Sequence, residues 1–296
     1  MSWASTADPN PPAEAVRETV RRALAEDLLP LGDLTGMLVP EEAEGSMLLV
    51  AREAGVLAGR RCADETMAQV GGCSAAWQLG EGSPVEPGQA VAELTGSLRA
   101  LLAAERTLLN FVCHLSGIAT LTRRFVEAAR AANPAVRILD TRKTTPGLRA
   151  LEKAAVRAGG GHNHRAGLSD AVLVKDNHLG ALSIAEACSA AAARWPGRMV
   201  EIECDRLEQV DEACRAGAGA VLLDNMGPAA VRDAVALVRG SPPPRPLVEV
   251  SGGVTLLTVA ELAAAGPDLI SVGALTHSAP VLDFGLDLRP ATGARG

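Results

Sequence analysis

Between positions 142 and 175 the sequence brings together Arg142, Lys143, His162, His164, Arg165 and Lys175, a cationic concentration in a chain whose net charge is -7. Only three of the 28 basic residues are lysines, Lys143, Lys153 and Lys175, and two of those belong to this group. Gathered in a cleft, such side chains make a positive pocket for a ligand with several negative charges, because a guanidinium grips a carboxylate or phosphate through two parallel hydrogen bonds. The expected ligand is a polyanion. Further on, Glu203 and Asp224 end consecutive strand-like runs. Carboxylates there can accept hydrogen bonds from sugar hydroxyls, hold a hard cation such as Mg2+ through oxygen, or simply balance the basic group. Ser251-Gly252-Gly253 and Ser271-Val272-Gly273 each follow an apolar run and precede a helical one, where backbone N–H groups can seat a phosphate.

His162-Asn163-His164 invites two other readings. Alternating histidines can ligate zinc, but no Cys or His partner stands at the usual spacing. A nuclease would need a basic surface, whereas 35 acidic residues outweigh 28 basic ones. No evident partner marks His114, His178 or His277, which read as structural.

The elements that must position these groups follow from periodicity. Residues 13–29 carry Val16, Val20, Leu24 and Leu28 at helical spacing before a turn at Pro30, Gly32 and Asp33. Short strand-like pieces at 47–51, 56–58 and 91–94, separated by turns such as Glu86-Pro87-Gly88, suit a small α+β domain ending near Ser97. From Leu98 to Arg130 the pattern is helical, with a break expected at Ser116-Gly117. On this helix Arg106 leaves a face shared with Leu102 and Leu109, as an arginine at a core edge or a functional group would. Beyond residue 134 a strand and helix alternation repeats six times, with strands expected at 136–140, 171–175, 199–203, 220–224, 247–250 and 269–272. Thr145 is expected to cap a helix from Pro146 to Gly159, and Asp205 with Glu208 to form a capping box for a helix ending near Gly217. Continuous apolar strands covered on both faces belong to an α/β barrel or a doubly wound sheet, whose functional groups collect at the C-terminal ends of the strands. Several of the polar residues singled out above sit at such ends or in the Gly159-Gly160-Gly161 loop.

Composition narrows the class. A chain of 296 residues that is 48% hydrophobic and 21% charged can bury a core and is not disordered. Six cysteines form no C-x-x-C pair, residues 1–12 lack the features of a secretory signal, and no apolar run is long enough to span a bilayer. A reducing cytoplasmic setting is expected, with neither membrane nor nucleic acid as partner.

The run Asp140-Thr141-Arg142-Lys143-Thr144-Thr145-Pro146-Gly147-Leu148-Arg149, the stretch from Gly159 to Arg165, and Val174-Lys175-Asp176-Asn177-His178 resemble the quinolinate phosphoribosyltransferase family, the carboxylating nicotinate-nucleotide pyrophosphorylases. Glu105 to Asn110, Glu201-Ile202-Glu203, Leu223 to Met226, Val250 to Gly253 and Ser271 to His277 extend the resemblance over nearly the whole chain. It implies a type II phosphoribosyltransferase: an N-terminal α/β sandwich domain at 1–117, completed by a strand at 281–290, and an open seven-stranded α/β barrel at 118–280. One strand beyond the six read from periodicity would then lie in the glycine-rich stretch before His162. The implied activity is Mg2+-dependent transfer of a phosphoribosyl group from phosphoribosyl pyrophosphate to quinolinate, with decarboxylation, in NAD biosynthesis. The implied assembly is a homodimer or higher even oligomer with shared active sites.

Carried over residue by residue, the resemblance gives Arg142, His164, Arg165 and Lys175 to the two quinolinate carboxylates, with Arg106 entering from the partner subunit. Thr141 joins the substrate-binding set. Lys143 and Lys175 would face phosphates, Glu203 and Asp224 the ribose hydroxyls and Mg2+, and these four would form the catalytic group. Ser251, Gly252 and Gly253, with Val272, Gly273 and Ala274, would seat the 5'-phosphate. Two alternatives stand beside this reading. One is a molybdate-transport-associated paralogue of the same fold, which would lack the dicarboxylate contacts present here. The other is a Schiff-base lyase using Lys175.

Overall fold

In the computed structural model, which describes residues 8–289, the apolar runs form twelve strands. They are β1 (Glu44–Ala51), β2 (Gly55–Val56), β3 (Cys73–Trp77), β4 (Pro84–Val85), β5 (Ala90–Ser97), β6 (Arg137–Leu139), β7 (Val172–Val174), β8 (Val200–Cys204), β9 (Ala220–Asp224), β10 (Leu247–Ser251), β11 (Leu269–Ser271) and β12 (Phe284–Leu288). Two compact units divide them: Arg124–Lys143 with Gly161–His277, and a second formed by residues 8–123, Thr144–Gly160 and 278–289. Residues 1–7 and 290, which fall in the expected N-terminal domain and C-terminal strand, lie outside the described residues.

The first unit holds a six-stranded sheet in the order β6-β11-β10-β9-β8-β7, and every pairing in it is parallel. Apart from β6, neighbours in space are neighbours in sequence, as successive right-handed βαβ units require. A seventh position is a single bridge: His162 pairs parallel with Leu139, its N–H donating to the Ile138 carbonyl at 2.8 Å and its carbonyl accepting from Asp140 N–H at 3.1 Å. Gly160 just before it, at φ +89°, ends any longer extended segment. The sheet is curled, because His164 beyond that bridge comes within 3.1 Å of Glu201 on β8 and 3.5 Å of Glu249 on β10. Together these are the expected open barrel.

The second unit packs a four-stranded antiparallel sheet, β12-β1-β5-β3, against the apolar face of the helix Leu98–Ala132. Leu49, Leu57, Leu94, Leu101, Leu108 and Val112 are fully buried in this core, each aliphatic side chain contributing about 1.5–3 kcal/mol. A second, two-stranded sheet joins β2 to β4. Neither β3 nor the helix Arg60–Val70 is signalled by periodicity: Cys-Ser-Ala-Ala-Trp is poor in β-branched residues, and the helix follows Gly59 at φ +97° without a side-chain cap.

Other local expectations are corrected. The helix Leu98–Ala132 does not break at Ser116-Gly117. Ser116 Oγ accepts from Ala58 N–H at 2.9 Å and donates to its carbonyl at 3.1 Å, and a Cβ on Gly117 would lie 2.0 Å from the Pro280 carbonyl oxygen. Both residues serve close backbone approach, not a turn. By compactness alone the two units part between Arg123 and Arg124, within this helix, and residues 144–160 group with the second. The helix expected from Pro146 runs Arg149–Ala158, because Gly147 at φ +82° makes a turn first, and Thr145 donates its N–H to Glu152 Oε2 at 3.1 Å instead of capping. Asp205 and Glu208 form no box; Asp205 N–H donates to Gln209 Oε1 at 2.8 Å.

Candidate active site

Successive side chains of a strand point to opposite faces, so residues two apart share one. At the C-terminal ends of the barrel strands this rule and the turns that follow bring Thr141, Arg142 and Lys143 after β6, Lys175 after β7, Glu203 on β8, Asp224 on β9, Ser251, Gly252 and Gly253 at the end of β10, and Gly273 and Ala274 after β11 to one cavity of about 650 Å3. His164 and Arg165 line it too. Of the residues singled out from sequence as candidate site groups, all but Arg106, His162 and Val272 converge there; His162 is buried at the bridge to Leu139 and does not reach the cavity.

The cavity's charges are held by their neighbours. Lys175 Nζ donates to Glu203 Oε2 in an ion pair. Asp224 Oδ2 accepts from Asn225 Nδ2 at 2.8 Å, and Asn225, itself at φ +55°, donates its N–H to the Ser251 carbonyl at 2.9 Å. That arrangement needs a glycine at 252, which has φ +89° and whose Cβ would lie 2.3 Å from Asn225 Oδ1. Arg165 is buried and donates from Nη1 to the Ala171 carbonyl at 3.2 Å. Burial, with Arg142 nearby, lowers its pKa below the ordinary guanidinium value. A buried guanidinium beside a second, half-buried one is costly unless anions join them, which is the electrostatic signature of an anion site.

Below this rim lies a second layer, two residues earlier on the same strands. Glu201 precedes Glu203, Glu249 precedes Ser251, Ser271 precedes Gly273 and Asp140 precedes Arg142, and all four are buried. His164 stands between the layers. Its Nδ1 accepts the Arg165 backbone N–H at 2.7 Å and its Nε2 is 3.1 Å from Glu201 Oε2. Both ring nitrogens therefore face protein groups. Asp140 accepts the His164 backbone N–H at 2.9 Å and Asn163 Nδ2 at 2.6 Å. Glu201, Glu249 and His164 offer atoms within 4.8 Å of one another, the one group among the described residues with metal-ligand proximity. Periodicity alone signalled no role for Glu249, and Ser271 stood out only as part of a candidate phosphate turn.

Val272 departs from its expected part. It is buried and its N–H donates to the Leu139 carbonyl at 2.9 Å, so Ser271, Gly273 and Ala274 of that turn line the cavity and Val272 does not. The helix after β11 does begin at Ala274, whereas the one after β10 begins only at Val259, leaving the Gly252-Gly253 backbone without a helix directly behind it. His277, read as structural, lines the cavity. His178 Nδ1 accepts the Lys175 N–H at 3.0 Å. In the second unit, His114 Nε2 is 2.9 Å from Glu152 Oε1, and exposed Arg106 lines a cavity of about 390 Å3 with Glu26, Asp27, Asn110 and His114.

Known proteins fit this architecture. Residues 118–287 match the family description "Quinolinate phosphoribosyl transferase, C-terminal domain", and 33–116 match its N-terminal domain. A nicotinate-nucleotide pyrophosphorylase [carboxylating] of Mycobacterium leprae is 44% identical over 281 residues, 93% of this chain and 98% of its own. A probable enzyme of the same name from Bacillus subtilis is 42% identical over 87% of this chain and 88% of its own. The solved nicotinate-nucleotide pyrophosphorylase of Francisella tularensis superposes with a TM-score of 0.90 at 36% identity, covering 95% of this chain and 98% of that one. With both domains matched in order and the rim residues gathered at one mouth, the chain belongs to the quinolinate phosphoribosyltransferase family.

Proposed function

We infer that the chain transfers the phosphoribosyl group of phosphoribosyl pyrophosphate to the ring nitrogen of quinolinate and releases pyrophosphate, CO2 and nicotinate mononucleotide. The observation that carries this reading is the cavity rim: Arg142, Lys143, Arg165 and Lys175 stand around one mouth with Glu203 and Asp224. A volume of about 650 Å3 is in the range of sites that enclose small ligands. Arg142, Arg165 and Lys175 take the two ring carboxylates, and Lys143 and Lys175 the pyrophosphate. Ser251 to Gly253, with Gly273 and Ala274, seat the 5'-phosphate, and Thr141 completes the substrate-binding set. His164 acts from beneath Arg165, since its ring nitrogens are already engaged.

The pyridine nitrogen attacks the anomeric carbon as the bond to pyrophosphate breaks, through a transition state of oxocarbenium character. The ring nitrogen, now quaternary, stabilises the carbanion left when the adjacent carboxylate departs as CO2, and a proton then takes its place. Lys143 and Lys175 stabilise the charge gathering on the leaving group. Glu203 and Asp224 present hard oxygen donors, which suit Mg2+, although Lys175 already occupies one oxygen of Glu203. They would hold the ion directly or through water while binding the ribose hydroxyls, and the ion's contribution is to neutralise pyrophosphate. Arg106 enters the site of a partner subunit in a homodimer or higher even oligomer. Free thiols at all six cysteines suit the cytoplasm. Among the described residues no helix is long and apolar enough to cross a membrane.

The decisive experiment supplies quinolinate, phosphoribosyl pyrophosphate and Mg2+ and follows nicotinate mononucleotide and CO2. Nicotinate should not be turned over, because a monoacid engages only part of the cationic rim; equal turnover of the two acids overturns the reading. Borohydride trapping of a carbonyl substrate on Lys175 would support the lyase instead, but the ion pair with Glu203 is the opposite of the setting that frees a lysine for that chemistry.

A further inference from the structure

Two carboxyl groups buried together beneath a cationic cavity need an explanation. Glu201 is 1% exposed and Glu249 0%. Ser271 Oγ donates to Glu249 Oε1 at 2.6 Å and His164 Nε2 reaches Glu201 Oε2, yet Glu201 Oε1 and Glu249 Oε2 are buried with no donor among the described residues. An orphaned buried oxygen costs about 1–3 kcal/mol, and here two lie in one network. A ligand oxygen of each carboxyl lies within 4.8 Å of the other. One proton between them converts one orphan into a donor and gives the other its partner.

The geometry points to Glu249 as a neutral hydrogen-bond donor to Glu201, and so as a positioning residue that fixes His164 and through it the Arg165 backbone. The chain of bonds runs from Ser271 through Glu249 and Glu201 to His164 Nε2–H, and His164 Nδ1 accepts the Arg165 N–H. That last bond decides the tautomer, since a ring nitrogen that accepts cannot carry a proton. The groups facing Glu249 agree: Glu201 and Asp140 are acidic, and burial together with Glu201 raises its pKa well above the ordinary carboxylate value. Placing the proton on Glu249 leaves one anion in this pair under two arginines. It also lets the dicarboxylate ligand, not a second glutamate, neutralise them. Arg165 is set within the barrel by a bond relayed across three strands.

This inference rests on the proposed quinolinate reaction, so wild-type turnover is measured first, and its failure counts against that reaction alone. Glu249→Leu, which cannot donate, should raise the KM for quinolinate about five- to a hundredfold while the KM for phosphoribosyl pyrophosphate stays within about twofold. Glu249→Gln keeps a neutral donor and should restore the quinolinate KM to within about threefold of wild type. Should the leucine variant fail to fold, Ser271→Ala loosens the same chain and should give the same split at about two- to fivefold. Independently of activity, 15N NMR of labelled histidine should find the His164 proton on Nε2. The inference is overturned if glutamine harms as much as leucine, or if both KM values move together or neither moves. It also falls if His164 is an imidazolium or carries its proton on Nδ1, or if purified protein holds a stoichiometric transition metal that the glutamine variant loses.

Discussion

Glu203 and Glu201 leave the same strand two residues apart, on the same face, and live under different rules. At the rim, Glu203 pairs with a lysine that is 44% exposed, and either partner can exchange it for water or ligand. One layer down, Glu201 has no water to turn to, and its partners must be built in. The same contrast separates Ser251 from Glu249 on β10 and Arg142 from Asp140 after β6. In the proposed reaction the rim carries the groups that touch substrate. The layer beneath, whose Glu249 and Ser271 also line the cavity, holds the rim in place. Substitutions at the rim should therefore change catalysis with little change in stability, and substitutions below should change both.

The largest expected effect is at Arg165. Arg165→Ala should lower kcat/KM for quinolinate about thirtyfold to several thousandfold, equivalent to about 2–5 kcal/mol of lost charge contact, with the fold intact by circular dichroism. Near-full activity would remove Arg165 from the rim. Gly252→Ala comes next. It puts a methyl group against Asn225 at a positive φ, a strain of about 1–3 kcal/mol, and should raise the KM for phosphoribosyl pyrophosphate about tenfold while quinolinate binding by itself is unchanged.

A smaller and more specific signal comes from mixing subunits. Arg106→Ala and Lys175→Ala homodimers should each be nearly inactive. After subunit exchange about half the dimers are mixed and each has one intact site, so about a quarter of wild-type activity should return. No recovery despite verified exchange would mean that each site draws both residues from one chain.

The smallest effect is in pH dependence. Because the carboxyl of Glu249 is raised in the folded protein, its contribution to stability is complete below the ordinary glutamate range. It declines as the pH climbs toward the raised value, since the unfolded chain gives up its proton first. Glutamine has nothing to titrate. The melting temperature of Glu249→Gln relative to wild type should therefore rise by a few degrees between pH 5 and pH 8, and a flat or falling difference would show that Glu249 is ionised when folded.

The rim was legible in the sequence because a charged or glycine residue closing an apolar run stands out from its neighbours. Arg142, Lys175, Glu203 and Asp224 each do so. The lower layer was not. Glu249 in Leu-Val-Glu-Val-Ser looks like an ordinary polar alternation, and only the curl of the sheet turns its outward-looking position into an interior one. The order and class of the barrel strands followed from their apolar runs, although β6, β7 and β11 are shorter than expected, whereas Gly147 moved a helix start and Gly117 ended nothing, because what a glycine does depends on which backbone it lies against. Val272 was misread for a related reason: the motif marks a turn, but not which of its N–H groups the neighbouring strand has taken.

One pairing sets a schedule for the molecule's birth. β12 lies antiparallel to β1, and Arg52 bonds Asp287 across 235 residues of chain. At about 5–20 residues per second, a ribosome needs roughly 10–50 s between making the two. During that interval the edge of β1 is open to any strand that passes, and the entire barrel segment is synthesised before the sheet that precedes it can close. Nascent chains held on the ribosome short of Phe284 should therefore engage chaperones through β1.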